Sequence, residues 1–171
     1  MIDVCNMQQI RELLSRYGFH FSKAKGQNFL NQRFAAESGV DASCGVLEIG
    51  PGFGSLTQAL CARAGKVVAL EVDTSLAPVL AETMADFDNL ELRFTDALKA
   101  DLPALVQEKF AGLRPLACAN LPYYITSPVL TKLLESRCFD AITVMVQKEV
   151  AQRICARAGA PDYSAFSILC Q

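Results

Sequence analysis

The most prominent group of chemistry-bearing residues is a glycine-rich segment, Val46–Thr57, that begins in a short apolar run. Gly50, Gly52 and Gly54 let the backbone turn tightly and approach a ligand closely, because no Cβ atom intervenes. A helix that starts after the last glycine offers free N–H groups, which attract an anion. These residues (50–55, the glycine loop) predict a site for the anionic end of a nucleotide-like ligand.

Two ligands fit the glycine loop, a dinucleotide and S-adenosyl-L-methionine. The dinucleotide pattern G-x-G-x-x-G requires a glycine at position 55, where the chain has Ser55. The observed G-x-G-x-G suits the methyl donor, whose anionic end is a single carboxylate and whose sulfur is positively charged. Glu71 ends the second predicted strand and is placed to accept hydrogen bonds from ribose hydroxyls. Taken alone, the loop also allows a purely structural turn.

Asp96 follows the third predicted strand. At that level of a sheet, its carboxylate could accept a hydrogen bond from the exocyclic amine of the cofactor's adenine. An aspartate that only stabilises the turn is the alternative.

The segment Asn120-Leu-Pro-Tyr-Tyr124 (the asparagine turn) follows the fourth predicted strand, on the edge where open α/β sheets bind ligands. An adenine amine is a poor nucleophile because its lone pair is delocalised into the ring. The Asn120 oxygen and a backbone carbonyl fixed by Pro122 can accept its two N–H bonds and aim the lone pair at a methyl group. An adjacent aromatic ring can stack on the base, worth roughly 1–3 kcal/mol. An Asn-Pro turn with surface tyrosines is the structural alternative.

These motifs need a scaffold of alternating strands and helices. Short apolar runs with regular spacing predict parallel strands that are covered on both faces. Amphipathic helices are expected between them, with N-terminal caps at Ser55, Thr74 or Ser75, Asp101 and Ser127. We therefore expect an α/β, Rossmann-like fold with a doubly wound, mostly parallel sheet. The predicted strands are Val46–Ile49, Val67–Glu71, Leu90–Phe94, Leu116–Ala119 and Ala141–Val146, preceded by helices over Met7–Tyr17 and Asn31–Ser38.

Composition indicates a folded protein. No signal-peptide or transit-peptide pattern is visible at the N-terminus, so we expect a cytoplasmic protein, and we expect a monomer. The chain has 171 residues, 51% hydrophobic and 20% charged, which is typical of one globular domain. Apolar runs are too short to span a bilayer, so no membrane association is expected. The net charge is −2, with a mildly basic arm (1–40) ahead of a more acidic core (41–171). Seven scattered cysteines and one histidine argue against a metal site or disulfide framework, and most cysteines should be small buried hydrophobes.

The ordered set of motifs resembles the KsgA/Dim family of rRNA adenine N6,N6-dimethyltransferases. The resemblance extends from Lys25 onward and rests on four segments and two single residues in a fixed order. They are KGQNFL (25–30), EIGPGFGSLT (48–57), Glu71, Asp96, NLPYY (120–124) and VQKEVAQR (146–153). It implies one methyltransferase domain over 1–171, incomplete at its C-terminal end, without the family's C-terminal helical domain.

The resemblance also implies an activity, namely two methyl transfers from S-adenosyl-L-methionine to N6 of each of two adjacent adenosines of small-subunit (16S) rRNA during ribosome biogenesis. The expected partner is small-subunit rRNA or a ribosomal subunit precursor. Alternatives are the Erm group, which methylates 23S rRNA, and a cofactor-binding assembly factor without catalysis. The implied cofactor contacts are Asn28, Leu30, Gly50, Gly52, Glu71, Asp96 and Asn120, and the implied base-handling residues are Asn120, Leu121 (carbonyl), Pro122 and Tyr123.

Overall fold

The fold is a five-stranded sheet with helices in the connections between its strands. A computed structural model describes residues 7–19, 32–121 and 124–171. The strands are β1 (Cys44–Ile49), β2 (Lys66–Glu71), β3 (Leu90–Phe94), β4 (Arg114–Asn120) and β5 (Ala141–Met145). The helices are α1 (Met7–Arg16), α2 (Gln32–Glu37), α3 (Ser55–Cys61), α4 (Ala77–Thr83, after a 3-10 turn at Thr74–Leu76), α5 (Leu102–Lys109), α6 (Thr126–Ser136), α7 (Lys148–Cys155) and α8 (Ala165–Cys170).

All neighbouring strands are parallel, in the order β3-β2-β1-β4-β5. The chain builds β1, β2 and β3 toward one side of the sheet and then returns to add β4 and β5 on the other. The direction therefore switches between β1 and β4, which is where open α/β sheets bind ligands. This topology confirms the predicted Rossmann-like fold.

Burial separates the central strands from the edge strands. β1 is buried along its whole length, and Val46 and Leu47 on its two faces belong to different core clusters. β3 and β5 are half-exposed, so the expectation of strands covered on both faces fails for them. Within the described part of the chain, each of these two edge strands has a sheet neighbour on one side only, which leaves it less enclosed than the central strands.

Two of the predicted helix caps are wrong because the preceding residue has the cap position. Gly54, with φ +91°, precedes α3, and Ser55 is already the first helical residue. Asp73, not Thr74 or Ser75, accepts a hydrogen bond at the start of the 3-10 turn, from the Ser75 N–H at 3.0 Å.

At the two later helices one predicted cap is right and one is wrong. The Asp101 cap is confirmed, since its carboxylate accepts from the Ala104 N–H at 3.1 Å. Ser127 lies inside α6, because that helix already starts at Thr126.

Helix α1 packs beside the glycine loop. Leu13 and Leu14 are buried with Val79 of α4, and Phe19 lies edge-on to Phe53 of the loop at 6.3 Å between ring centroids. At the end of α1, the Arg16 guanidinium and the Tyr17 hydroxyl bind the Glu82 carboxylate of α4 and hold its pKa below the usual range. Helix α1 of the arm is thereby fastened next to the predicted ligand site.

The cysteine prediction holds for three described residues. Cys44, Cys61 and Cys118 are buried, whereas Cys138 and Cys170 are half-buried and Cys155 is exposed. Cys155 is the last residue of α7, and no residue of that helix is buried. The apolar residues near Cys155 in the sequence therefore do not shield it from solvent. Within the described segments, no helix has the length and apolar character that crossing a bilayer requires.

Candidate functional site at the carboxyl edge of the sheet

The glycine loop and the asparagine turn leave the sheet from neighbouring strands. Ile49 of β1 pairs with Ala119 of β4, so Gly50 and Asn120 follow at the same level. Both residues are half-buried. The two motifs that were predicted separately therefore meet at the switch point of the sheet.

Glu71 and Asp96 extend this edge on the other side of β1. Glu71 is paired with Phe94 at the end of β3, and Asp96 lies two residues beyond Phe94. The structure thus brings Gly50, Glu71, Asp96 and Asn120 to one edge of the sheet.

Gly50 lies beside open space. Its backbone has φ +72°, and its N–H donates to the Leu70 carbonyl of β2 at 2.9 Å. Among the described residues, a Cβ atom built on Gly50 would meet nothing within 4 Å, whereas one on Gly54 would meet Cε of Met84. Gly54 is therefore close to the Met84 side chain, and its φ of +91° is what favours glycine there, whereas the room at Gly50 is available to a ligand.

Glu71 anchors the loop with both carboxylate oxygens. Its Oε2 accepts from the Gly52 N–H at 3.3 Å and its Oε1 from the Asp73 N–H at 2.9 Å. The residue is buried, and a carboxylate offers about four acceptor positions, so two remain after these bonds. It can hold the loop and still accept hydrogen bonds from a ligand's hydroxyl groups.

Asp96 has the turn-stabilising role that was the structural alternative. Its Oδ1 accepts from the Leu98 N–H at 2.9 Å, and its backbone carbonyl accepts from the Lys99 N–H at 2.9 Å. The side chain is half-buried at the site edge. A ligand amine would meet its second oxygen, so the predicted cofactor contact stays a prediction.

Only part of the asparagine turn is described. The Leu121 side chain is buried, and its N–H donates to the Met145 carbonyl of β5 at 3.4 Å. Tyr124 is 83% exposed and leads into α6. The Leu121 side chain therefore belongs to the core, and any contact with a base would involve its backbone. Asn28, Leu30, Pro122 and Tyr123, which the sequence also predicted for the site, lie outside the described residues.

The sequence reasoning overlooked Glu48. This residue is 1% exposed in the middle of β1, and neither its Oε2 nor the nearby Thr57 hydroxyl has a hydrogen-bond partner among the described residues. Burial, reinforced by repulsion from Glu71, raises the pKa of Glu48 to about 8. An acidic residue within an otherwise apolar strand was the signal in the sequence that could have revealed it.

These residues suit S-adenosylmethionine. The open space beside Gly50 admits a ligand against the backbone, and an acidic residue at the end of β2 fits ribose hydroxyls. Within the described ranges, no group of three or more His, Cys, Asp or Glu side chains could hold a metal ion. The parallel sheet with this loop at its switch point defines a Rossmann-like domain of the S-adenosylmethionine-dependent methyltransferase class.

The chain belongs to the ribosomal RNA adenine dimethylase family, whose sequence profile matches residues 14–171. It is 43% identical over 176 aligned positions to ribosomal RNA small subunit methyltransferase A of Geobacillus thermodenitrificans (strain NG80-2), covering 99% of this chain and 60% of that relative. The chain thus spans about 60% of the length of the curated relatives it matches.

Solved structures agree with this assignment. A dimethyladenosine transferase from Plasmodium falciparum aligns with a TM-score of 0.68 and 30% identity, over 83% of this chain and 51% of that one. The 23S rRNA methyltransferase ErmE aligns with a TM-score of 0.61 and 30% identity, over 74% of this chain and 50% of that one.

Proposed function

We propose that this chain is the donor-binding and base-handling part of an enzyme that transfers methyl groups from S-adenosylmethionine to N6 of two adjacent adenosines in small-subunit rRNA. The observation that carries the proposal is the juxtaposition of Gly50 and Asn120 on neighbouring strands at the switch point. A methyl donor and an adenine amine must approach each other closely for transfer, and this edge supplies a motif suited to each.

The donor side uses the glycine loop and the carboxylates beside it. The loop's backbone approaches the donor, Glu71 accepts from its ribose hydroxyls, and Asp96 accepts from its adenine amine. Asn28 and Leu30 of the arm complete the donor contacts in this proposal, consistent with the packing of α1 and Phe19 against Phe53.

The substrate side uses the asparagine turn. The Asn120 oxygen and the Leu121 carbonyl accept the two N–H bonds of the adenine amine, which localises its lone pair toward the donor. Pro122 fixes the turn, and Tyr123 stacks on the base and offsets part of the few kcal/mol needed to flip the nucleotide out. The burial of the Leu121 side chain supports a backbone role for this residue.

The reaction proposed is an in-line displacement. S-adenosylmethionine, when bound, supplies an electrophilic methyl group on a positively charged sulfur. Asn120 and Leu121 orient the attacking nitrogen, so the protein contributes position and electrostatics. The methylated nitrogen is acidic and loses its proton to water, so a strong general base is unnecessary.

The target we propose is small-subunit (16S) rRNA in a ribosomal subunit precursor. The curated relatives named small subunit methyltransferase A are 42–44% identical to this chain, compared with 30% for ErmE. We further propose a cytoplasmic monomer made of the arm (1–40) and the core (41–171).

The test is methylation of small ribosomal subunits that lack dimethyladenosine, followed by mass spectrometry of their digested rRNA. The chain is assayed alone and joined to the C-terminal part of the Geobacillus thermodenitrificans relative. We expect N6,N6-dimethyladenosine at two adjacent positions in at least the joined form. If neither form produces dimethyladenosine although the donor binds tightly, the result would support the non-catalytic assembly factor. Modification of 23S rRNA would support the Erm-like alternative.

A further inference from the structure

Glu48 lies under the site, and among the described residues one of its oxygens has no hydrogen-bond partner. Side chains alternate along a strand, and Leu47 and Ile49 face the α5–α6 side, so Glu48 faces α3. There its Oε2 and the Thr57 hydroxyl are both buried, and neither has a partner in hydrogen-bond geometry among the described residues. The Thr57 hydroxyl is nevertheless close enough to lower the pKa of Glu48 and so offset part of the effect of burial. An unpaired buried carboxylate is costly, and such a group lowers that cost by remaining protonated.

The titratable groups that face Glu48 are Glu71 of β2, Cys61 of α3 and Cys118 of β4. Burial raises the pKa of Cys61 to about 12 and that of Cys118 to about 11, so both thiols stay neutral. Within the described part of the chain, no basic group acts on Glu48 to balance its charge. Burial, partly offset by the Thr57 hydroxyl and reinforced by Glu71, raises the pKa of Glu48 to about 8, so Glu48 is mostly a carboxylic acid at neutral pH.

This carboxyl group is coupled to the glycine loop in two ways. Glu48 is two residues before Gly50, and the neighbouring Glu71 accepts from the Gly52 N–H. The methyl donor carries an ammonium and a sulfonium besides the carboxylate that the loop is expected to bind, so its net charge is positive. Its binding at the loop would bring that net positive charge near both carboxyl groups. A nearby positive charge favours the ionised form of a carboxyl group, most strongly where water is excluded.

We propose that Glu48 is a proton-release site coupled to donor binding: it is a carboxylic acid in the free protein and loses its proton to solvent when the cationic methyl donor occupies the glycine loop. The inference rests on the proposed function for the position of the donor. The O–H bond of Glu48 breaks, the proton passes to the buffer, and the carboxylate remains as a counter-charge to the sulfonium.

The same geometry distinguishes the donor from its product. Methyl transfer leaves a neutral sulfur, so the positive charge that favoured the Glu48 carboxylate disappears. Glu48 then takes up a proton again. S-adenosylhomocysteine should therefore release fewer protons on binding than S-adenosylmethionine does.

Calorimetric titration at pH 7 in buffers of different ionisation enthalpy measures this release directly. The wild-type chain, Glu48→Gln and the control Glu91→Gln are each titrated with S-adenosylmethionine and with S-adenosylhomocysteine. Comparison between variants cancels any proton exchange by the ligand itself. We expect the wild type and Glu91→Gln to release approaching one proton more than Glu48→Gln with the methyl donor. With S-adenosylhomocysteine, the difference should be smaller.

Equal proton release by the wild type and Glu48→Gln would overturn the inference and leave the proposed function standing. Absence of binding to either ligand by the wild type would overturn both. If Glu48→Gln does not fold, infrared difference spectroscopy on the wild-type chain with isotope-labelled glutamate measures whether the donor changes the protonation state of a carboxyl group. Addition of the methyl donor should remove a band of a protonated carboxyl group, and persistence of that band would refute the assignment.

Discussion

The glycine loop after β1 and the asparagine turn after β4 leave the sheet side by side, but they are anchored to different neighbours. The loop is tied to β2 through the Leu70 carbonyl and the buried Glu71 carboxylate. The turn is joined to β5 through the longer bond from Leu121 to Met145. The two motifs are therefore held in place by different strands. A variant in the glycine loop should mainly affect donor binding, and a variant in the asparagine turn should mainly affect the positioning of the base.

The largest effect is expected at the asparagine turn. Asn120→Ala should reduce the methyl-transfer rate roughly 100- to 1,000-fold, because it removes an oriented polar group that acts on the reacting nitrogen. The affinity for S-adenosylhomocysteine should fall much less. Single-turnover kinetics on small ribosomal subunits and calorimetry measure the two effects. An equal loss in rate and in affinity would contradict the separation of the two sides.

On the loop side, Glu71→Gln should weaken S-adenosylhomocysteine binding roughly 10- to 100-fold, the equivalent of one or two charge-assisted hydrogen bonds. The reason is that Glu71 holds the Gly52 N–H and is proposed to accept from the ribose. Glu91→Gln is the matched control, since it removes a carboxylate that pairs with Arg93 and Lys109 away from this edge. Comparable weakening by both variants would argue for a non-specific effect of charge.

The buried carboxyl group beneath the loop should make stability depend on pH. The pKa of Glu48 is raised to about 8 from an ordinary value of 4.5, so the folded state holds a proton that the unfolded state releases between these values. The free energy of unfolding should therefore fall as pH rises through this window, by at most about 1.4 kcal/mol per pH unit. Urea unfolding at pH 5 and pH 8 should show a smaller decrease for Glu48→Gln. An identical decrease in both proteins would mean that Glu48 is ionised throughout.

The smallest effect separates the ligand role of a glycine from its conformational role. Gly50 and Gly112 have φ of +72° and +79°, and a Cβ on either would meet nothing within 4 Å. Alanine at each position should destabilise the chain similarly, by about 1–2 kcal/mol. Only Gly50→Ala should also weaken S-adenosylhomocysteine binding, because Gly50 lies at the ligand site. Thermal unfolding measures the stability of the two variants, and calorimetry measures their affinity for S-adenosylhomocysteine. Equal affinities in the two variants would mean that the glycine loop does not contact the donor.

The sequence placed the strands well because their apolar runs are continuous and the glycine loop interrupts them sharply. It did not reveal that β3 and β5 would be edge strands, since strand order depends on pairing between distant segments. The cap at Ser55 was wrong for a local reason, namely that a positive φ at Gly54 already starts the turn into α3.

Within the site, the order of Gly50, Glu71, Asp96 and Asn120 along the chain was enough to predict that they share an edge. The anchoring of the loop by Glu71 depends on side-chain geometry, which spacing alone does not specify. Glu48 was overlooked because its raised pKa depends on its burial in the folded chain, which sequence spacing does not show.

The strand order also has a consequence for the way the chain acquires its shape during synthesis. β1 pairs with β2 after a short connection, but its pairing with β4 joins Cys44 to Arg114, which is 70 residues further on. Contacts between distant segments cost more loop-closure entropy and form later than local ones. The half of the sheet that carries the glycine loop can therefore assemble while the ribosome is still adding residues, and the cleft for the base is completed only when β4 arrives.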